Sequence, residues 1–204
     1  GHPAVYTDGP EKFGNNRIVG RALDNRIGGF IIAEVLKALS TDDAERPEST
    51  VVALNAVQEE IGGYGARMAA HRLKPDVCVV LDVTHATDSP GIEHDKHGKI
   101  TLGGGPSLTH GTVNHPEVVK RLMSVADDAG IPLQHEASSR STSTDTDSIF
   151  QIGDGIPSAL VSLPLRYMHS VVEVADFGDV EKVISLLTGF ARSIGKGDQF
   201  SVEI

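Results

Sequence analysis

Apolar positions along this chain switch repeatedly between three-and-four spacing and unbroken β-branched runs, as they do where helices and strands alternate. In "DNRIGGFIIAEVLKAL", Ile27, Phe30, Ile31, Val35 and Leu39 fall at helical spacing and predict a helix over 24–39, with Asp24 or Asn25 able to cap it. "VVALNAV", 51–57, is nearly all apolar and predicts a strand covered on both faces. Gly62, Gly63 and Gly65 then turn the chain into a short helix carrying Ala66–His71. Further strands are expected over 76–83 ("DVCVVLDV"), 99–104 ("KITLGG"), 132–138 and 157–165. A short one is expected around Asn16–Val19 and a last one in "QFSVEI". Amphipathic helices are expected over 115–130, with Pro near the start and Gly at the stop, and over 179–195. Residues 40–50 read as a charged surface loop, and 138–148 as a polar loop with the composition of a binding rim. Alternation of this kind predicts an α/β fold: a mixed, mostly parallel sheet flanked by helices on both faces, in a single domain over 1–204.

Composition narrows the function classes. The chain has 204 residues and 39% hydrophobic content, enough for a real core. A net charge of -10, from 28 acidic against 18 basic residues, argues against a nucleic-acid or anionic-membrane partner. No apolar run approaches the ~20 residues of a membrane span. One cysteine, Cys78, excludes an internal disulfide framework and makes the cytoplasm the default compartment. Cys78 reads as a small buried hydrophobe. "GGGPSL" lacks the Lys-Ser/Thr of a phosphate loop, so nucleotide binding is not expected.

The acidic excess becomes informative through its placement. In open α/β sheets, ligands bind beyond the carboxyl ends of the strands. "VVALNAVQEE" ends in Glu59-Glu60, "VCVVLD" in Asp82, and "ALVSLPLRYMH" in His169, while Asp24 stands directly before a helix. Taken singly, each has an ordinary structural explanation: a cap for Asp24, a turn for Asp82, a solvated position for Glu59-Glu60 and for His169. Together they gather carboxylates and an imidazole at one edge. That donor set suits a divalent transition metal, zinc first. One carboxylate can bridge two ions, and a further carboxylate, not a ligand, can serve as general base. His71, His94, His97 and His135 read as surface residues and His115 as structural, whereas His85 lies three residues past Asp82 and near the proposed site.

"ALDNRIGG", "VQEEIGGYGA", "DVTHATDSPG", "NHP" and "RYMHS" occur in that order. As a set they resemble the tetrahedral (TET) aminopeptidases, dinuclear metallopeptidases also described as glutamyl or deblocking aminopeptidases and sometimes as endoglucanases. The resemblance runs from about Arg17 onward. It implies a zinc-aminopeptidase-like fold, a peptide substrate and two divalent ions, zinc or cobalt. It further implies Asp24 as the bridging ligand, Glu60 and His169 completing one metal site, Asp82 serving the other, and Glu59 as general base. Asp145 and Thr146 are implied as substrate contacts, and the Asp24–Asn25 peptide bond as cis. Family members are much longer, with a first histidine ligand in an early H-x-D motif and an inserted dimerisation domain. Only 23 residues precede Asp24 here and they contain no H-x-D. The chain is therefore expected to be the C-terminal, N-terminally truncated part of such an enzyme. It should bind at most about one ion, while the full-length parent would be a homo-oligomer. Two readings follow: a metal-dependent aminopeptidase, or a catalytically incomplete fragment of one. An endoglucanase reading is weaker, because a glycosidase pair of carboxylates has no use for a metal-ligand histidine.

Overall fold

All eight residues of Ser158–Leu165 (β6) are buried, because this strand has a neighbour on each side and a helical layer on each face. The computed structural model describes residues 1–5, 7, 9–41 and 46–200. In chain order these form β1 (Glu11–Phe13), β2 (Arg17–Gly20), α1 (Leu23–Thr41), α2 (Tyr64–Leu73), β3 (Cys78–His85), α3 (His94–His97) and β4 (Ser107–His110). Then follow α4 (Pro116–Asp128), β5 (Gln134–Ala137), α5 (Asp145–Ile149), β6, β7 (Glu173–Asp176) and α6 (Phe177–Ser193). The main sheet has the order β3-β6-β4-β5. β3 and β6 run parallel from Cys78↔Ser158 to His85↔Leu165, β4 and β5 are parallel, and β4 meets β6 antiparallel. A smaller antiparallel sheet, β1-β2-β7, carries the chain around to the site.

Side chains on the two faces of the sheet enter different cores. Ala159, Val161, Leu163 and Leu165 pack with Ile27, Ile31, Val35 and Leu39 of α1 and with α4 and α6. Val80 and Leu160 pack on the opposite face with Ala66 and Ala70 of α2 and Ile149 of α5. The α/β class with helices on both faces is thus observed. Phe30 lies outside this core at 56% exposure, although it shares the helical spacing. Among the described residues no helix is long and apolar enough to cross a membrane.

Two stretches depart from the expected elements. Residues 99–104 form no strand; the strand starts at Ser107. Side chains take the place of a ladder there. Gln134 bonds both the N–H and the C=O of Thr101, at 2.7 and 3.0 Å, and the buried Asp179 carboxylate accepts from Gly103 and Gly105 N–H, each at 2.7 Å. Residues 51–57 also form no strand among the described residues, and Val52, Leu54 and Val57 are exposed at 59, 43 and 67%. β1 and β7 are too short, and carry too little alternation, to be expected from the sequence. The strand expected over 199–204 falls partly on 201–204, outside the described residues; Phe200 packs its ring against Phe190 at 6.4 Å. Residues 42–45 of the charged loop also lie outside them.

Candidate metal and catalytic site

α1 begins with an irregularity that frees a carboxylate. Asp24 and Asn25 have non-helical backbone angles, and the peptide bond between them is cis. Asn25, not Asp24, caps the helix: its Oδ1 accepts from Gly28 N–H at 2.9 Å. Its Nδ2 donates to Leu81 O at 2.9 Å and to Asp82 Oδ1 at 3.3 Å, which fastens the helix start to β3. Asp24 is left with its side chain only 10% exposed and turned toward His169.

Glu59 and Glu60 sit in a turn ahead of α2, closed by Gly62 and Gly63 N–H donating to Glu59 O at 3.0 and 3.1 Å. Two glycines hold this turn in place. At Gly63, φ is +63° and a Cβ would lie 2.2 Å from Ser148 Oγ, so α5 packs directly on the turn. At Gly65 a Cβ would lie 2.3 Å from Val57 O, so α2 lies against the backbone leading to the glutamates. His169 follows β6 and also has a left-handed backbone, φ +63°. Such a conformation costs a non-glycine residue about 1–3 kcal/mol and survives where neighbours over-determine it. Here Glu173, 1% exposed, does so: Oε1 accepts from His169 N–H at 2.8 Å and Oε2 from Asp24 N–H at 3.1 Å.

These supports bring three donors together. His169 Nε2 lies 3.1 Å from Asp24 Oδ2 and 3.7 Å from Glu60 Oε2, and the three ligand atoms all lie within 4.8 Å of one another. Asp82, 8% exposed, stands outside that trio, with Oδ1 accepting from Val83 N–H at 2.9 Å. Burial, then repulsion from Glu60, raises the Asp24 pKa, and His169 opposes the rise. Burial, then Asp145, Glu60 and Asp24, pushes Glu59 up to about 7. Burial also pushes Asp82 up to about 7; Val83 N–H opposes, and Glu59 and Asp24 add to the rise. His85 is lowered by burial and by His169. Carboxylates so crowded and desolvated call for a cation, which reverses the sign of these effects. The mixed carboxylate–imidazole trio fits a zinc-class ion.

Asp145 and Thr146 open α5. Asp145 is half-buried and its Oδ1 has no hydrogen-bond partner, while burial raises its pKa. Thr146 is fully buried, and its Oγ1 accepts from Thr144 Oγ1 at 3.0 Å, so it backs the rim instead of lining it. Beyond Asp82 the 138–144 loop borders a polar cleft of about 350 Å³ that includes Thr84, Glu136, Ser138, Arg140, Thr142 and Thr144. His110 and His135 form a separate contact, with Nε2 to Nδ1 at 2.8 Å.

Sequence reasoning assigned no role to three residues that hold this region. Glu173 is one. The others are Asp88 and Arg166, inside two of the quoted motifs. Arg166 Nε and Nη2 donate to Asp88 Oδ1 and Oδ2 at 2.9 and 2.8 Å, tying the loop after β3 to the segment that carries His169. The Arg166 hydrogen bonds hold Asp88 below the usual carboxylate range. Because the folded-state pKa is depressed, the stabilisation is present above the unfolded Asp value of ~3.9 and is lost as pH falls through the folded one. Asp88→Asn is therefore expected to cost about 1–2 kcal/mol at pH 7. Urea unfolding of both proteins should show the gap narrowing near pH 3; a constant gap would contradict the linkage.

A family model described as M42 glutamyl aminopeptidase matches residues 1–186. The chain belongs to the M42 glutamyl aminopeptidase family. It is 39% identical over 167 residues to the lysyl aminopeptidase of Pyrococcus furiosus, covering 80% of this chain and 45% of that protein. The aminopeptidase APDkam598 from Desulfurococcus kamchatkensis superposes with a TM-score of 0.82 at 32% identity, covering 91% of this chain and 51% of that one. The Pyrococcus horikoshii TET1 peptidase, described as assembling into a tetrahedron or a large octahedral shell, gives a TM-score of 0.76 at 26% identity over 93% of this chain and 54% of that one. The chain thus spans about half the length of the curated relatives it matches.

Proposed function

We propose that these residues form the metal-binding part of a metal-dependent aminopeptidase that removes N-terminal residues from short peptides. The observation that carries this reading is the convergence of Asp24 Oδ2, Glu60 Oε2 and His169 Nε2 within 4.8 Å, beside Glu59. Asp24, Glu60 and His169 would hold one divalent ion, zinc or cobalt; Asp24 and Asp82 would contribute to a second, with Asp24 as the bridge. When bound, the ions supply Lewis-acid polarisation of water and of the scissile carbonyl. Glu59 accepts the proton of the attacking water and returns it to the leaving amine. Its backbone carbonyl is held by the Gly62 and Gly63 N–H groups, so base and ligand are offered one residue apart. Asp145, next to Glu59 and with an unsatisfied oxygen, borders the substrate; Thr146 positions it from behind. The protein to which these residues belong is proposed to act as a homo-oligomer, as the TET peptidases do.

A second reading is favoured by two observations: the chain spans about half of its relatives, and Asp82 stands outside the trio. On that reading the chain alone binds one ion and hydrolyses little. Release of p-nitroaniline from aminoacyl-anilides, measured with excess zinc or cobalt, separates the two. Metal-stimulated release that drops at least 100-fold in Glu59→Gln, with metal binding retained, is expected of the enzyme. Stoichiometric binding without stimulated release is expected of the incomplete form. Stimulated release that survives Glu59→Gln would remove Glu59 as the base.

A further inference from the structure

At the β5 edge of the main sheet two imidazoles meet. β4 and β5 run parallel with Leu108 opposite His135 and His110 opposite Ala137, so His110 and His135 share one face as diagonal neighbours. Their ring centroids lie 5.0 Å apart, and His110 Nε2 lies 2.8 Å from His135 Nδ1. Thr109 and Glu136, next to them in sequence, line the polar cleft, so the two histidines occupy the opposite face of the sheet. Leu108 shares that face and is fully buried, which gives the pair an apolar floor.

Both backbones are pinned. His110 O accepts from Ser138 N–H at 2.9 Å, and Gln134 N–H donates to Pro106 O at 2.9 Å. Glu136, which follows His135, accepts from Thr84 Oγ1 at 2.8 Å and from Ser107 Oγ. Strands anchored in this way hold ligand positions more closely than loops do. The contact between the rings requires at least one of them to be neutral, since one nitrogen donates and the other accepts. Burial, then His135, lowers the His110 pKa, which favours the neutral ring that a metal needs. Among the described residues no carboxylate or thiolate joins the pair in a three-ligand group, so its other positions open to water. The net charge of -10 draws cations to the molecule as a whole.

The spacing of the two nitrogens selects the kind of ion. Metal–nitrogen bonds of about 2.0–2.1 Å meeting at a right angle put neighbouring ligand nitrogens about 2.8–3.0 Å apart, whereas a tetrahedral angle puts them about 3.3–3.4 Å apart. The 2.8 Å observed fits the right angle. Copper(II) and nickel(II) favour such square-planar or tetragonal arrangements of nitrogen and oxygen donors, and copper(II) binds them most tightly of the first-row divalent ions. We propose that His110 Nε2 and His135 Nδ1 form a second metal site, holding one tetragonal divalent ion, copper(II) before nickel(II), with water in its remaining positions. The ion takes the place of the hydrogen between the rings. The ring that donated it carries its proton on its other nitrogen instead, so no net proton is released. The lone pairs turn from each other toward the ion, and the exposed His135 ring makes most of that turn. The pair shares no residue with Asp24, Glu60 and His169, so either site can fail without the other.

Titration with copper(II), followed by calorimetry and by electron paramagnetic resonance, tests it. The chain used carries His2→Ala and His169→Ala, so that neither the exposed imidazole near the amino terminus nor that of the carboxylate trio competes. One ion per chain is expected, with two nitrogens in its equatorial plane. His110→Gln and His135→Gln should each weaken binding by at least about 30-fold and leave one nitrogen, because coordination of the second imidazole is intramolecular once the first has bound. In the parent chain, His135→Gln should leave zinc binding by Asp24, Glu60 and His169 unchanged. Proton NMR reads the site without either glutamine: copper(II) below one equivalent should broaden the ring signals of His110 and His135 together, ahead of the other histidines. That measurement decides the matter by itself if a glutamine variant does not fold. Three results would overturn the proposal: binding that both glutamine variants leave intact, one ion shared between two chains, or broadening that leaves either of the two rings sharp.

Discussion

Zinc titrated into the purified chain should bind at about one site per chain, and His169→Ala should weaken that binding by more than 100-fold. The expectation rests on which donors converge. Asp24, Glu60 and His169 offer two carboxylate oxygens and an imidazole nitrogen within 4.8 Å of one another. Removing even a group that only supports a zinc ligand typically costs about 10–100-fold in affinity, so losing the imidazole itself should cost more. His169 is a clean probe, because its side chain is 62% exposed and its replacement removes little packing. The second position is poorer. Asp82 and Asp24 supply carboxylates alone, and Asp82 Oδ1 is already engaged by Val83 N–H at 2.9 Å and by Asn25 Nδ2 at 3.3 Å. Calorimetry on the chain and on His169→Ala gives both stoichiometry and affinity. Two equally tight ions would overturn the expectation and point to His85, whose ring centroid lies 6.5 Å from that of His169, as the additional ligand. Repeating the titration with His85→Ala would then decide it.

The parts of this site legible in the sequence are those whose signal is local. An apolar run ending in Asp82, a helix preceded by Asp24 and a strand leading to His169 each mark the carboxyl edge of a sheet. The amphipathic spacing of α1, α4 and α6 is likewise a short-range pattern. What was illegible depends on partners far away in the chain. Residues 99–104 look like a strand because Ile100 and Leu102 are apolar and buried, at 2 and 5%. Their neighbours' backbone groups are satisfied by Asp179 and Gln134 instead, 74 and 33 residues distant in the bonds to Gly105 and Thr101. Residues 51–57 have the composition of a strand covered on both faces, but among the described residues they form none, and Val52, Leu54 and Val57 are exposed. The capping of α1 was open between Asp24 and Asn25, and only the geometry assigns it to Asn25, which leaves Asp24 available to a metal.

Glu173 is the least legible residue of the site, and its removal should have the largest structural consequence. In "VVEVAD" it is one polar position among apolar ones, and in β7 its backbone pairs with Gly20 of β2. The fold instead buries its carboxylate to 1% exposure and aims one oxygen at His169 N–H and the other at Asp24 N–H. One side chain thereby sets the distance between the two residues whose side-chain atoms lie 3.1 Å apart. It also holds His169 in a backbone conformation that few non-glycine residues adopt. Glu173→Ala would leave both N–H groups without an acceptor, at about 1–3 kcal/mol each, so a stability loss of about 2–6 kcal/mol is expected in urea unfolding. Glu173→Gln keeps the volume and one carbonyl oxygen but must turn its NH₂ toward the other N–H, and should fall between the two. A purely structural role and a positioning role part company in the zinc titration. If Glu173 sets the ligand geometry, the folded fraction of Glu173→Gln should bind zinc about 10–100-fold more weakly than the parent chain. If the variant loses stability while the folded protein keeps its full zinc affinity, Glu173 braces the fold and the metal trio is held by its own elements.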